Sequence, residues 1–127
     1  MSDTRKVIIT AGDVSLVGVL NDSKTADAIW EALPLEEEGR RWGDEIYFGI
    51  PVRLGSIDGQ EVVEVGDLAY WPPGNAFCIF WGPTPASRGH EIRPASPVNV
   101  FGKIKGDAAA FAAVRSGAKV RVERSCD

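Results

Sequence analysis

Apolar and polar positions alternate along most of this chain, and the period lengthens in only two places. Lys6–Ala11 alternates weakly and ends in Ala11-Gly12-Asp13, a turn signal. The Val- and Leu-rich run Val14–Leu20 follows at once, so the two are predicted to pair as a hairpin. The first shift places Ala26, Ile29, Trp30 and Leu33 at i, i+3, i+4 and i+7, one face of a short helix. Asn21-Asp22-Ser23 offers capping oxygens before it and Pro34 stops it, and Trp30 reads as a core residue. The second shift, over 108–116, is opened by Gly106-Asp107, buries Phe111 and Val114 on one face and ends at Gly117.

Between these helices the pattern is that of strands. Leu35 to Arg41 carries Glu36, Glu37, Glu38, Arg40 and Arg41 and reads as a solvated face or an exposed strand. Trp42-Gly43-Asp44 is a turn, 45–48 a strand, and Pro51 ends or bulges that strand because it cannot donate to a ladder. Asp58-Gly59 marks a tight turn, and the alternating segment 61–65 leads to a further turn at Gly66-Asp67. The apolar centre of the chain lies over 66–82, where strands 68–71 and 76–81 flank the stiff break Pro72-Pro73-Gly74-Asn75. An irregular stretch with Pro83, Pro85, Pro94 and Pro97 precedes strands 98–105 and 119–123, and the tail is polar. About eight short strands with two short helices predict a mainly β fold, a closed barrel without exposed sheet edges.

Composition narrows the function. A chain of 127 residues is read as one domain over 1–127. With a net charge of −4 and no basic run, no nucleic acid is expected as partner. No apolar run approaches the roughly 20 residues that span a bilayer, and none resembles a signal peptide, so a cytoplasmic location without membrane contact is expected. Cys78, in a predicted buried strand, and Cys126, in the tail, read as two free thiols rather than a disulfide.

His90 is the only histidine and lies in a Gly/Arg-rich loop, so no metal site is expected, and no cofactor either. No phosphate-cradling glycine loop or serine-nucleophile elbow is present. Asp44, Glu45 and Asp67 could form a carboxylate pair, but all three stand beside turn glycines, where Asp is common for backbone reasons. Tyr47 and Phe48 form one aromatic cluster and Trp71, Phe77, Phe80 and Trp81 another; most read as core, with one or two lining a groove.

Four segments resemble the cyclophilins. Leu20-Asn21-Asp22-Ser23-Lys24-Thr25-Ala26 is similar to the family's opening of the first helix, and Ile50-Pro51 to its Ile-Pro. Ala76-Phe77-Cys78-Ile79 resembles its Gln-Phe-Phe-Ile strand. Val100-Phe101-Gly102-Lys103-Ile104 with Gly106 resembles its Val-Phe-Gly-Lys-Val-x-x-Gly signature, the most specific of the four. The run from Tyr70 to Pro85 resembles a small prokaryotic branch of stand-alone cyclophilin-like proteins of unsettled function. The resemblance implies a closed eight-stranded barrel capped by two helices.

Cyclophilins are prolyl isomerases, and the resemblance places their arginine donor at Phe48, their strand-opening glutamine at Ala76 and their pocket phenylalanines at Arg53 and Cys78. Their pocket histidine falls at Val98, and Trp71 stands near the groove floor. An isomerase must lower a barrier of ~18–20 kcal/mol, and Phe48 has no proton to give the proline nitrogen. The favoured expectation is a non-catalytic module that binds a peptide or small apolar ligand in a groove of Phe48, Arg53, Trp71, Cys78 and Val98. A weak or atypical prolyl isomerase is the alternative, with Arg53 as its donor. A third reading has Trp71 fill the groove and the barrel act as a homo-oligomer.

Overall fold

The computed structural model describes residues 5–57 and 59–125. Its strands are β1 (Lys6–Ala11), β2 (Val14–Leu20), β3 (Leu35–Glu38), β4 (Arg40–Arg41), β5 (Glu45–Gly49), β6 (Asp67–Trp71), β7 (Ala76–Phe80), β8 (Asn99–Lys105) and β9 (Lys119–Arg124). They form one sheet in the order β3-β9-β1-β2-β8-β6-β7-β5-β4, antiparallel throughout. The two outermost strands, β3 and β4, are separated in sequence by Gly39 alone. Together they are a single kinked strand whose first half pairs with β9 and whose second half pairs with β5. Counted that way, eight strands close into a barrel, as the resemblance implied.

Gly39 is what allows that closure. A Cβ there would lie 2.7 Å from Val120 Cγ2 and 3.0 Å from Ile46 Cγ2, so the kink runs directly over two core side chains. Its N–H donates to the Ala118 carbonyl and its own carbonyl accepts from Gly117 N–H, both at 2.8 Å, so the break leaves both peptide groups paired.

The helix α1 (Lys24–Ala32) begins as its sequence predicts. Ser23 Oγ accepts from the Ala26 N–H at 3.1 Å, and Asn21 Oδ1 accepts from the Ser23 N–H at 3.0 Å. Ala26 and Ile29 enter the barrel core, while Trp30 is half-buried against it, with the Arg124 guanidinium 4.5 Å above its ring. The second predicted helix is shorter and tighter than 108–116: it is a 3₁₀ helix over Ala108–Ala113. Its end is fixed by Arg41, whose guanidinium donates to the carbonyls of Ala112 (3.2 Å) and Val114 (2.9 Å) and so takes the acceptors a further helical turn would need.

The strands β5, β6 and β7 sort their side chains by period two. Ile46, Phe48, Leu68, Tyr70, Phe77 and Ile79 point into the barrel, where Phe48 stacks on Phe77 with ring centroids 4.9 Å apart. Ala69, Ala76, Cys78 and Phe80 point outward, yet they too are buried, in a second cluster with Val63, Ile92 and Val98. Segments 60–65 and 83–98 lie over that outer face, joined by the isolated bridges Gln60–Val98 and Val63–Ile92. The predicted strand over 61–65 is thus reduced to single bridge contacts. Its partner contains Pro94 and Pro97, which cannot donate to a ladder, and Val65 is left 57% exposed. Asp58 of the predicted tight turn and the tail with Cys126 lie outside the described residues.

The break between β6 and β7 is locked from the inside. Asn75 adopts φ 47°, the left-handed region that a hairpin break requires. The buried Tyr70 hydroxyl donates to the Val52 carbonyl (2.7 Å), lies 2.9 Å from Asn75 Oδ1 and accepts from the Leu54 N–H (3.1 Å). Tyr70→Phe keeps the ring and strands these partners, so it is expected to destabilise the fold by about 1–3 kcal/mol in urea unfolding, with an unchanged denaturant slope.

Candidate functional site

The outward faces of β5 and β7 frame a cleft of about 200 Å³ at the rim of the second cluster. Two turns supply its largest side chains. The 3₁₀ turn Pro72–Gly74 folds flat over the Trp71 ring: a Cβ on Gly74 would lie 2.7 Å from two of its ring carbons. On the indole's polar side, Trp71 Nε1 donates to Ser96 Oγ at 2.7 Å. The ring is therefore clamped between the break and the covering loop, half-exposed to the cleft. The Trp42-Gly43-Asp44 turn supplies the second indole. Its Gly43 has φ 63° and lies so close to Pro83, Thr84 and Pro85 that a Cβ would meet each within 3.0 Å. The Trp42 N–H donates to the Glu45 carbonyl, the Asp44 N–H to that of Pro83 and the Trp81 N–H to that of Asp44, each at 3.0 Å.

Tyr47 is the third ring in the cleft, directly across the ladder from Cys78, and Glu45 lies across from Phe80 on the same face. Val98, Pro94 and Ala95 complete the lining. Glu45 is buried in these apolar surroundings, and the lost hydration raises its carboxyl from 4.5 to about 7, with the neighbouring Cys78 thiol as a partly compensating hydrogen-bond partner. Burial, reinforced by Glu45, pushes the Cys78 thiol well above its ordinary value, so it is a buried thiol and not a nucleophile. The covering loop is internally tied. Ser87 Oγ accepts from the N–H groups of Thr84 (2.9 Å) and Arg93 (3.1 Å), Thr84 Oγ1 donates to the Arg93 carbonyl, and Arg93 Nε donates to Glu91 at 2.6 Å.

Of the five residues assigned to the groove from the sequence, Trp71, Cys78 and Val98 meet in this cleft. Phe48 does not: it is 1% exposed and faces the barrel core. The correction follows from strand geometry. Ile46 and Phe48 share the inner face, so the cleft receives their neighbours Glu45 and Tyr47. Arg53 is exposed in the loop after β5 and does not line this cleft. Phe48 does border a larger polar depression with Glu37, Glu38 and Arg40, but offers it next to no side-chain surface.

Asp44 and Asp67 do not join Glu45 in the cleft. Asp44 lies 3.7 Å from Arg41, and Asp67 Oδ2 accepts from the Glu64 N–H at 2.9 Å in the turn before β6. His90 is exposed, and among the described residues no three His, Cys, Asp or Glu gather as a metal would need. Trp42, Glu45, Tyr47, Pro94 and Ala95 line the cleft but were not assigned to the groove from the sequence, although Glu45 was weighed as one of a carboxylate pair and Tyr47 as part of an aromatic cluster. Alternation along β5 carried the signal for two of them, since an inward Phe48 forces Glu45 and Tyr47 outward. Nothing local in the sequence marks Trp42.

The profile of the cyclophilin-like family matches residues 5–123. Among solved structures, the chain is similar to a hypothetical protein of Archaeoglobus fulgidus determined in solution. The two share 40% sequence identity with a TM-score of 0.82, over 96% of this chain and 95% of that one. The search of curated proteins finds no match.

The raised Glu45 carboxyl has a measurable consequence. The folded state holds its proton up to about pH 7 and the unfolded state only to about 4.5, so stability from this group is full below 4.5 and is lost as pH rises through 7. The loss is on the order of 3 kcal/mol. Glu45→Gln is expected to remove this slope: its melting temperature should change less with pH than the wild type's, with the gain over the wild type growing from about pH 4 to about pH 8. In native protein Cys78 should resist a thiol reagent, reacting at the free-thiol rate only once the chain is unfolded in denaturant.

Proposed function

The chain belongs to the cyclophilin-like family, and on that barrel we propose a non-catalytic binding module whose outer cleft takes a small, predominantly apolar ligand or a peptide side chain. One observation carries the reading: Trp71 is held half-exposed at the cleft by the Gly74 backbone and by Ser96, with space beside it rather than protein. An aromatic ring immobilised before the ligand arrives loses little freedom on binding, which is how a small cleft gains affinity. Tyr47 and Trp42 add further apolar contact, and Cys78 and Val98 present no competing polar group beyond a weak thiol.

The geometry gives the isomerase alternative little support. Among the described residues no Lys, Arg or His lines the cleft, so it offers no cationic donor to a proline nitrogen. Where such a donor is removed from an active site, rate falls by about 100- to 1,000-fold.

Titration with small aromatic and aliphatic probes should quench tryptophan fluorescence, and Trp71→Ala should abolish most of that quenching while the protein stays folded by circular dichroism. Prolyl isomerisation of X-Pro peptides should run at the uncatalysed rate. Turnover abolished by Arg53→Ala would overturn the proposal, because Arg53 would then be a donor.

A further inference from the structure

The binding reading says nothing of the ligand's charge, but the composition of the cleft does. Three aromatic rings, those of Trp42, Tyr47 and Trp71, share it with one acidic group, Glu45. Glu45 is 5% exposed. None of the ion pairs found among the described residues includes it. The nearest cation along the chain, Arg41, is turned away, its guanidinium on the carbonyls of Gly43, Ala112 and Val114 and 5.0 Å from the centre of the Trp81 ring. The titratable groups sharing the cleft with Glu45 are the Tyr47 phenol on its own strand and the Cys78 thiol on β7, and neither can supply positive charge. A buried carboxyl with no cation beside it is unfavourable when ionised, and the π faces of aromatic rings attract positive charge.

Resting on the binding reading above, we propose that the cleft receives a small alkylated ammonium ion, its onium group against Trp42, Tyr47 and Trp71 and Glu45 as its counter-ion. Alkylation follows from the lining. A primary ammonium carries three N–H donors and loses its hydration on entry, whereas the cleft side chains offer Glu45 and the Tyr47 oxygen as strong acceptors among mostly apolar neighbours. N-methyl groups carry the charge to the ring faces and need no acceptor. A volume of about 200 Å³ accommodates a head group of this kind with a short chain.

Binding also couples to protonation. The cation favours ionised Glu45, so below about pH 7 each ligand bound displaces a proton, and affinity rises with pH and levels off above that value.

Choline and its uncharged carbon isostere 3,3-dimethylbutan-1-ol are the probes, titrated calorimetrically into the intact protein. Near pH 8 choline should bind about tenfold tighter than the isostere, and about tenfold more weakly near pH 6 than near pH 8. Glu45→Gln, nearly isosteric and free of the buried charge, should abolish both the preference and the pH dependence. Trp42→Phe should weaken choline more than the isostere. Equal or tighter binding of the isostere near pH 8, or choline binding indifferent to Glu45→Gln, overturns the inference. If both probes fail while indole still quenches Trp71 fluorescence, the cation inference falls and the binding reading stands. If indole fails as well, both fall.

Discussion

Strand β7 is buried on both of its faces, and the remainder of the architecture answers to that constraint. An antiparallel strand with one face on a barrel core ordinarily turns its other face to water. Here Phe77 and Ile79 fill the barrel while Ala76, Cys78 and Phe80 meet a second apolar cluster. Something must cover those outward side chains, and the proline-rich segment between β7 and β8 does so. Because prolines keep it from pairing as a regular strand, the cover is joined to segment 60–65 through isolated bridges, and Ser96 ties it to the sheet by accepting from Trp71 Nε1. At its rim, where Pro94 and Ala95 approach Trp71 and Tyr47, it leaves an opening.

Two polar groups lie in that apolar layer, and their chemistry is set by the same burial. Burial shifts the Glu45 carboxyl and the Cys78 thiol each toward the neutral form, and among the described residues no Lys or Arg pairs with Glu45. The thiol is thereby silenced. The carboxyl is brought close to neutrality, where a modest change in its surroundings decides whether it carries charge. Among the described residues the cleft is lined by three rings, this acid and the silenced thiol, and by no Lys, Arg or His.

Much of the fold was legible in the sequence because it rests on local chemistry. The caps at Ser23 and Asp107, the break at Pro72-Pro73-Gly74-Asn75, the weak alternation of β1 and the apolar runs of β2 and β7 each declare themselves within a few residues. The count of short, glycine-punctuated strands and the family signature around Phe101-Gly102-Lys103 together pointed to the barrel. The site was legible only in part. Trp71, Cys78 and Val98 were reached through the resemblance, but counting back from Ile50-Pro51 selected Phe48, one position from the outward Tyr47. In a strand, one position is the difference between core and surface. Trp42 enters the cleft through Gly43 packing against the 83–85 segment, a contact between distant parts of the chain that no local pattern encodes. The shortened second helix has a similar origin, since its end depends on Arg41, some seventy residues upstream.

The division of side chains between two cores bears on how this protein can diverge. The barrel is specified by inward residues and by Gly39, which closes it, whereas the cleft is built from outward residues, a turn and a cover that contribute nothing to closure. Substitutions on the two sides of β5, β6 and β7 therefore meet two separate packing environments. Changes at Glu45, Tyr47 or the residues of the cover would redraw the cleft's shape and charge while the inward packing beneath keeps its form.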